Sequence, residues 1–307
     1  MERPTERRIA QRLAIIGLGL IGGSLARALR AVGAVEHISG YDINPEQRRA
    51  ALELGVVDSA PDSAVATVQG ADLVVLAVPV METAAALAAL QPALGADAVM
   101  TDVGSTKCSV IEAVAATLGE VPANYVPGHP IAGTEKSGVA ASFDSLFRGR
   151  RVILTPHARM SAQAGQRVQA MWEAVGAQVE HMPPAHHDEI LAATSHLPHV
   201  LAYALVDMLA RMESEQELFA YAAGGFRDFT RITSSSPKMW LDITCANRAA
   251  LIPLIENYVD ALNNLRDAIR DDDQQRVLDV FTHARGARER YLERIEKSLS
   301  SRSTAAS

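Results

Sequence analysis

The sequence predicts an α/β fold, in which a doubly wound, mostly parallel sheet is followed by a segment made only of helices. Two patterns predict it. Strand and helix patterns alternate from residue 9 to about residue 182, and only helical patterns follow the proline pair at 183–184. Alternation of this kind is typical of a parallel sheet that carries helices on both faces. In such a sheet, ligands bind at the carboxyl ends of the strands.

A glycine-rich turn, G-L-G-L-I-G, joins the first predicted strand to the first helix. Gly17 permits the turn, Gly19 lets the backbone approach a pyrophosphate, and Gly22 lets the helix pack closely on its strand. The free N–H groups at the start of the helix favour phosphate binding. The motif therefore predicts a Rossmann-type dinucleotide site, to which it also contributes Leu20 and Ile21.

The second predicted strand ends in an acidic residue. Asp42 follows Gly22 by 42 − 22 = 20 residues, close to the spacing of about 20 expected for a ribose-binding acid. A carboxylate there accepts hydrogen bonds from the ribose 2′-hydroxyl and repels a 2′-phosphate. The next residues, Ile43 and Asn44, offer no arginine for that phosphate, so we expect NAD rather than NADP. The alternative is a glycine-rich turn with an unrelated surface aspartate.

The other elements are predicted from β-branched, alanine-rich or amphipathic runs. The run at 71–78 is apolar almost throughout, as a strand buried on both faces should be, and we expect Val78 and Pro79 to line the cofactor site. The remaining strands are predicted at 13–16, 37–42, 98–102, 124–128, 151–155 and 177–182. Helices are predicted at 20–29, 80–94, 105–118, 162–175, 185–212, 215–223, 236–246, 247–270 and 271–299.

These patterns predict three parts of the chain. We expect a dinucleotide-binding domain over 1–183, an all-helical domain for substrate binding and dimerisation over 184–299, and a disordered tail over 300–307. The last two helices are long and amphipathic, and their apolar faces are long for a compact monomer. They therefore predict a homodimer interface.

Composition and charge exclude several classes of partner. A net charge of −7 and a pI near 5.7 argue against nucleic acid and anionic membranes. The two cysteines indicate a reducing compartment without disulfides, and no apolar stretch is long enough to span a bilayer. A basic N-terminus before an apolar run resembles a signal peptide, but Glu2 and Glu6 do not fit one. We therefore expect a cytoplasmic protein.

Two polar clusters follow predicted strands. In D-V-G-S-T-K, Ser105 is placed to hydrogen-bond a substrate beside the nicotinamide; alternatively, Ser105 or Thr106 caps the helix and Lys107 is solvated. The second cluster, G-H-P-I-A-G-T-E, is predicted to be a loop. Its His129 is a candidate general base, because the ordinary pKa of histidine lies near neutrality. The alternative is a histidine that is hydrogen-bonded for structure.

Two further clusters lie in the helical segment. T-S-H-L-P-H starts at residue 194 and begins or interrupts a helix. Its histidines, with His186 and His187 upstream, could suggest a metal site, but Pro198 disrupts a regular helical pair and no cysteine accompanies them, so we expect no metal. G-G-F-R-D-F-T-R-I, followed by P-K-M-W, is explained either by a glycine pair and a capped helix or by arginines that bind an anionic substrate.

Together, these motifs resemble the prephenate/arogenate (cyclohexadienyl) dehydrogenase family of tyrosine biosynthesis. G-L-G-L-I-G, D-V-G-S-T-K, G-H-P-I-A-G-T-E, S-H-L-P-H and F-R-D-F-T-R-I with P-K-M-W occur in the family's order and span nearly the whole chain. The resemblance implies an NAD-dependent oxidative decarboxylation. Hydride leaves ring carbon C4 for NAD+, CO2 leaves C1, and the ring becomes aromatic.

The resemblance also implies roles for individual residues. His129 matches the histidine that hydrogen-bonds the C4 hydroxyl and takes its proton, and Ser105 matches the serine that helps to hold that hydroxyl. Arg231 matches the arginine that binds a substrate carboxylate. Residues expected to meet the substrate side chain, or to line or gate the cleft, are Ser195, His199, Trp240, Glu135 and Asp228.

Several alternatives stay open at this point. The residues do not decide between prephenate and arogenate. A hydroxy-acid or imine-type dehydrogenase would share the glycine motif and use a lysine, for which Lys238 is the candidate. A non-catalytic dinucleotide sensor would need the motif but not His129, Ser105 and Arg231 together. No regulatory or chorismate mutase segment is expected, so tyrosine inhibition would act at the active site.

Overall fold

The computed structural model describes residues 8–212 and 215–305. The chain forms two compact units, the first ending at Leu251 and the second beginning at Ile252. Within the described ranges, no helix combines the length and the apolar character needed to cross a membrane.

A five-stranded parallel sheet forms the centre of the first unit. Its strands are β1 (Ala10–Ile16), β2 (Val35–Tyr41), β3 (Leu73–Leu76), β4 (Val99–Asp102) and β5 (Tyr125–Val126), in the order β2-β1-β3-β4-β5. The helices between them are α1 (Leu20–Ala31), α2 (Pro45–Glu53), α3 (Ala64–Val68), α4 (Thr83–Leu90) and α5 (Cys108–Leu118). The predicted doubly wound α/β fold is confirmed.

The central strands are apolar throughout because both faces of the sheet are covered. Along β1, Leu13 and Ile15 enter one apolar core, and Ala14 and Ile16 enter the other. All four residues of β3 are buried in the same alternating way. The sheet therefore brings the carboxyl ends of β1, β3 and β4 to one edge between two packed layers.

A second, three-stranded sheet follows, which the sequence reasoning did not separate from the first. It contains β6 (Gly128–Pro130), β7 (Arg151–Leu154) and β8 (Gln178–His181), with α6 (Ala162–Ala174) between the last two. β6 is antiparallel to β7, whereas β7 and β8 are parallel. The predicted single strand over 124–128 is divided at Pro127, which has no N–H to donate to a ladder. His129 consequently lies in a strand, not in the predicted loop.

Every element after β8 is helical. The first unit continues with α7 (Pro184–Leu191), α8 (Leu197–Ala210), α9 (Glu215–Ala220), α10 (Gly224–Thr230) and α11 (Pro237–Ala246). A π-helical turn over Ala192–His196 separates α7 from α8, so the helix interruption predicted at S-H-L-P-H is confirmed. Pro198 lies in the first turn of α8, directly after this π-helical turn, and its missing N–H interrupts the regular series of helical hydrogen bonds.

Two long helices complete the chain, α12 (Arg248–Arg270) and α13 (Gln274–Ala305). The predicted disordered tail begins at residue 300, whereas the structure continues α13 through Ala305. Residues 306 and 307 of that predicted tail lie outside the described residues.

Candidate active site

The glycine turn between β1 and α1 has room for a ligand at one position only. Gly17 has a φ of +102°, and a Cβ atom there would lie 2.3 Å from the Ala77 carbonyl oxygen. A Cβ atom at Gly22 would lie 2.1 Å from the Gly17 carbonyl oxygen. At Gly19, by contrast, a Cβ atom would meet nothing within 4 Å. This open position stands at the start of α1, where N–H groups have no partner within the helix, so the turn fits a pyrophosphate.

The other predicted cofactor residues surround this turn. The side chain of Leu20 is buried in the apolar core and Ile21 packs against it, so what they offer a cofactor is chiefly backbone N–H. Val78 and Pro79 follow β3, and a Cβ atom at Gly17 would lie 3.1 Å from the Val78 nitrogen. The glycine turn and the segment after β3 therefore lie directly against each other.

Asp42 lies directly after β2, at the same edge of the sheet. Its carboxylate accepts hydrogen bonds from the backbone N–H groups of Leu18 and Asn44, both at 2.9 Å. Arg48 donates to the Asp42 carbonyl oxygen at 2.7 Å and pairs with Asp62 at 2.9 Å. The sequence analysis considered only Ile43 and Asn44 and so missed Arg48, which α2 returns to the end of β2. That arginine is already engaged with the Asp42 carbonyl oxygen and with Asp62.

A buried ion pair lies at the carboxyl end of β4. Lys107 is fully buried, forms an ion pair with Asp102 and donates to the Gly128 carbonyl oxygen at 2.6 Å. Asp102 also accepts hydrogen bonds from the Tyr125 hydroxyl at 2.7 Å and from the Gly104 N–H at 2.8 Å. Burial lowers the pKa of Lys107, and the Asp102 charge opposes that shift. The alternative that Lys107 is solvated was wrong; its ammonium group ties β4 to the start of β6.

The helix α5 is capped from a distant part of the chain. Asp188 of α7 accepts hydrogen bonds from the backbone N–H of Lys107 at 2.8 Å and of Cys108 at 2.9 Å. The predicted caps do not form, because Thr106 bonds the Ser109 hydroxyl instead, at 2.6 Å. Ser105 stands half-buried in the turn just before this helix, and so remains at the sheet edge where a substrate hydroxyl is expected.

His129 is the buried end of a chain of hydrogen bonds. Its Nδ1 lies 2.9 Å from Nε2 of His187, and Nδ1 of His187 lies 2.8 Å from the Asp188 carboxylate. His129 is 8% exposed and His187 is fully buried. Burial, followed by the charges of His187, Lys107 and His196, holds the pKa of His129 well below its ordinary value. His129 is therefore uncharged at neutral pH.

The residues of the S-H-L-P-H motif meet an aromatic ring from α11. His199 stacks on Trp240, with ring centroids 3.4 Å apart, and its Nδ1 donates to the Ser195 carbonyl oxygen at 2.9 Å. Burial lowers the pKa of His199 below its ordinary value, although the bond to Ser195 opposes the shift. The Trp240 indole N–H is buried without a partner among the described residues. These three predicted substrate residues are thus brought together.

Asn247 holds the neighbouring histidine. Its side-chain amide lies 2.8 Å from the Asp188 carbonyl oxygen and 3.0 Å from Nδ1 of His196. Because Asn247 presents N–H to both groups, Nδ1 of His196 is the acceptor. Burial lowers the pKa of His196 to about 4, although the negative charge of Asp188 opposes the shift.

Arg231 does reach the segment that follows β6. It forms an ion pair with Glu135, six residues beyond His129 in the chain (135 − 129 = 6). The Arg231 side chain is 62% exposed and that of Glu135 is 35% exposed, so both are accessible to solvent. Asp228 is exposed on α10. A guanidinium that already binds one carboxylate here has the chemistry to bind another.

Two alternative site chemistries gain no support. No group of three or more His, Cys, Asp or Glu side chains in the described residues is arranged to hold a metal ion. Lys238 is exposed on α11 and pairs with Asp242 at 2.6 Å. The hydrogen bond to Asp242 raises the pKa of Lys238, which makes this lysine a poorer proton acceptor.

Two family models match the chain: prephenate dehydrogenase, nucleotide-binding domain, over residues 25–181, and prephenate dehydrogenase, dimerization domain, over residues 183–283. Together they cover most of the chain.

The chain belongs to the prephenate dehydrogenase family.

Individual relatives resemble the chain over nearly its full length. A cyclohexadienyl dehydrogenase of Zymomonas mobilis is 42% identical, over 91% of this chain and 96% of that protein. The crystal structure of prephenate dehydrogenase from Aquifex aeolicus, in complex with hydroxyphenyl propionate and NAD+, is 39% identical with a TM-score of 0.84, covering 91% of this chain and 97% of that one. Synechocystis arogenate dehydrogenase is 27% identical with a TM-score of 0.76, covering 92% and 100%.

Sequence reasoning missed several site residues of this prephenate dehydrogenase family member. His187 was considered only as a possible metal ligand, and Asp188 and Asn247 were not considered. The one local signal was the pair H-D within an amphipathic helix, where a buried polar residue is unusual. His187 contacts His129, 58 residues earlier in the chain, and Asp188 contacts Lys107, 81 residues earlier. No local sequence pattern could identify these contacts.

Proposed function

We propose that this chain catalyses the NAD-dependent oxidative decarboxylation of prephenate, arogenate or both. The observation that carries the proposal is the setting of His129. This histidine is buried beside the carboxyl end of β4 and uncharged, its Nδ1 is engaged by His187, and its Nε2 takes part in no hydrogen bond to the described residues. An uncharged imidazole with one free nitrogen is a proton acceptor in position.

His129 would accept the proton of the substrate's C4 hydroxyl at Nε2 as the C4 carbonyl develops. Ser105, in the turn before α5, would hydrogen-bond the same hydroxyl and so hold it in line. NAD+, when bound, supplies the hydride acceptor. Since loss of CO2 makes the ring aromatic, the reaction is driven by the substrate, and positioning is the main contribution of the protein.

The residues around the glycine turn fit NAD. The open position at Gly19 and the free N–H groups of the first turn of α1 suit a pyrophosphate. The Asp42 carboxylate, fixed by the Leu18 and Asn44 N–H groups, would accept hydrogen bonds from the ribose hydroxyls. Its negative charge disfavours a 2′-phosphate, which supports NAD over NADP.

The substrate's carboxylates need a cation in a chain of net charge −7. Arg231 would bind one of them through two hydrogen bonds, and the Glu135 carboxylate that now occupies this arginine would be displaced. Ser195, His199 and Trp240 would line the part of the cleft that receives the substrate side chain, and Asp228 would stand at its rim.

One assay tests the proposed function. The purified protein is mixed with prephenate or arogenate and with NAD+ or NADP+, and reduced nicotinamide and CO2 are measured. We expect equal amounts of both products with NAD+ and at least one substrate, and a much lower kcat/KM with NADP+. Binding of NAD+ without turnover of either substrate would contradict the proposal and favour a sensor. Added tyrosine in the same assay tests inhibition at the active site.

The second compact unit supports a homodimer as the working state. Large apolar side chains are exposed along α12 and α13 in the single chain, among them Ile252, Leu262, Ile269, Leu278 and Phe281. Exposed apolar area of this kind marks an interface, and the match to a dimerization domain covers residues 183–283. We expect a dimer by analytical ultracentrifugation and dissociation by the double substitution Leu262→Asp and Phe281→Asp; a wild-type monomer would contradict this.

A reducing cytoplasm fits the free cysteines Cys108 and Cys245.

A further inference from the structure

Three buried groups form a line behind His129. Nδ1 of His129 lies 2.9 Å from Nε2 of His187, and Nδ1 of His187 lies 2.8 Å from Oδ1 of Asp188. Asp188 also accepts two backbone N–H groups at the start of α5, from Lys107 and Cys108. The line therefore begins at the proton acceptor of the proposed reaction and ends at a fixed negative charge.

The donor and the acceptor of each of these hydrogen bonds follow from the chemistry of the Asp188 carboxylate. A carboxylate can only accept, so Nδ1 of His187 carries the proton that Asp188 accepts. An uncharged His187 then has its lone pair on Nε2. His129 must donate to that lone pair from Nδ1, which leaves the lone pair of His129 on Nε2. The opposite tautomer of His129 would set two lone pairs against each other and could not accept a substrate proton at Nε2.

Asp188 is well suited to hold this arrangement. Burial alone would raise the pKa of its carboxyl, but hydrogen bonds from His187 and from the Lys107 and Cys108 N–H groups lower it, so Asp188 is ionised. The positive end of the α5 helix adds to that stabilisation. His187 has no exposed surface, so water does not compete for its hydrogen bonds.

The titratable groups around His129 come from three elements. Lys107 lies at the start of α5, His187 and Asp188 lie on α7, and His196 lies in the π-helical turn. Lys107 carries a positive charge that disfavours protonation of His129. Asp188 is the anion among them, and it reaches His129 through the ring of His187.

We propose that His187 and Asp188 are positioning residues, which hold His129 in the Nδ1–H tautomer and give its Nε2 the basicity to take the substrate proton. The inference rests on the proposed function. In the step, the O–H bond of the C4 hydroxyl breaks and an N–H bond forms at Nε2 of His129. The new positive charge is stabilised through the His129 Nδ1–H bond to His187, whose own N–H points at Asp188. The electron pair of the C4–H bond leaves as hydride to the bound NAD+.

The competing explanation is that His187 merely ties α7 to β6. Both explanations predict a loss of stability when His187 is replaced, so stability alone cannot separate them. The two explanations differ in what they predict for the tautomer of His129 and for the pH dependence of turnover. A His187 contact that serves packing alone would affect neither property.

The first test is a 15N NMR spectrum of the wild-type protein with labelled histidine. The chain has 9 histidines, and the resonances that disappear in His129→Asn identify those of His129. We expect His129 in the Nδ1–H tautomer at neutral pH. The Nε2–H tautomer would overturn the inference. This measurement depends neither on the folding of a His187 variant nor on catalytic activity.

The second test compares His187→Leu, His187→Gln and a matched control, His186→Leu. His186 is the adjacent residue, and its side chain is 56% exposed. We expect His187→Leu to lower kcat by about 10- to 100-fold, a part of the 10²–10⁴ that a positioned base contributes, while KM for substrate and the Kd for NAD+ stay within about threefold. His187→Gln, which can still accept from His129, should recover part of the loss, and His186→Leu should match the wild type.

The pH profile gives the readout that packing would not change. Loss of the acceptor on Nδ1 makes His129 a weaker base, so the acid limb of kcat should move to lower pH in His187→Leu. An unmoved limb, or a limb moved to higher pH, would overturn the inference.

If the wild type turns over neither prephenate nor arogenate, the proposed function fails while the NMR result still decides the tautomer. If the wild type is active and His187→Leu keeps its kcat, only the present inference fails.

Discussion

The carboxylate of Asp188 accepts a hydrogen bond at 2.8 Å from the backbone N–H of Lys107, a residue 81 positions earlier in the chain. The side chain of Lys107 is turned inward to Asp102, so this helix start has no cap of its own. One aspartate therefore completes α5 and fixes α7 against the end of β4. The same contact places His187 against His129. Helix capping and the alignment of the proposed base thus depend on a single side chain.

The buried ion pair should dominate the stability of this region. We expect Lys107→Met to lower the free energy of unfolding by about 3–5 kcal/mol, because it leaves the Asp102 charge buried without its partner. Urea unfolding followed by circular dichroism measures the change. The matched control is Arg159→Met, which removes an exposed pair with Glu120 and should cost about 1 kcal/mol or less. Equal losses in both variants would contradict this account of the Lys107–Asp102 pair.

Two glycines of one motif should respond differently to the same substitution. Gly17→Ala should destabilise the fold, because its φ of +102° and the Ala77 carbonyl oxygen 2.3 Å from a Cβ leave no room. Gly19→Ala should keep the melting temperature within about a degree or two of the wild type, since a Cβ there meets nothing within 4 Å. The same substitution should weaken NAD+ binding at least about tenfold, equal to about 1.4 kcal/mol. Calorimetry measures both quantities, with Gly95→Ala as the control. Unchanged NAD+ affinity in Gly19→Ala would remove that residue from the pyrophosphate site.

Arg231→Ala should raise KM for the substrate about 10- to 100-fold with a modest loss of kcat, because it removes binding shared by ground and transition states. Steady-state kinetics with either substrate measures the split. Arg211→Ala is the control, since Arg211 is also an exposed arginine in an ion pair, with Asp207 at 2.9 Å. A KM equal to that of the wild type would rule out a carboxylate-binding role for Arg231.

Acidification should destabilise the protein through its buried histidines. Burial lowers the pKa of His129 below 6.5 and that of His196 to about 4. Between about pH 6.5 and pH 4 the unfolded chain therefore binds more protons, and the free energy of unfolding falls as the pH falls. His196 alone should contribute up to ~3 kcal/mol, because one pKa unit is worth about 1.4 kcal/mol.

The variant His196→Gln isolates this contribution. Its free energy of unfolding should change less between pH 7 and pH 4 than that of the wild type, measured by urea unfolding at each pH. Parallel curves for the two proteins would show that His196 does not titrate in the way that its burial indicates.

The fold and the cofactor motif could be predicted from the sequence because their signals are local. An apolar strand, a turn that only glycine can make at Gly17 and a helix follow one another within the chain. Pro127 was also a local signal, for the break between β5 and β6, but the single strand predicted over 124–128 ran across it. The sequence placed His129 in a loop after a strand, and its actual place within β6, paired with Ile153 of β7, could not be predicted from its neighbours.

The partners of the site could not be predicted, because they are set by tertiary contacts. Lys107 has a charged side chain in a polar motif, and nothing adjacent indicates that Asp102 and Gly128 enclose it. His187 meets His129 across 58 residues, and Arg48 returns to Asp42 only because α2 folds back on β2. Each of these residues has an ordinary local context, and its importance depends on which element packs against it.

The proposed role of His129 as the group that takes the substrate proton is tested most directly by the turnover of His129→Asn. With NAD+ and prephenate or arogenate, we expect kcat to fall by about 10²–10⁴, while the Kd for NAD+ and the melting temperature stay close to those of the wild type. A variant that binds NAD+, folds normally and produces reduced nicotinamide at the wild-type rate would contradict the account.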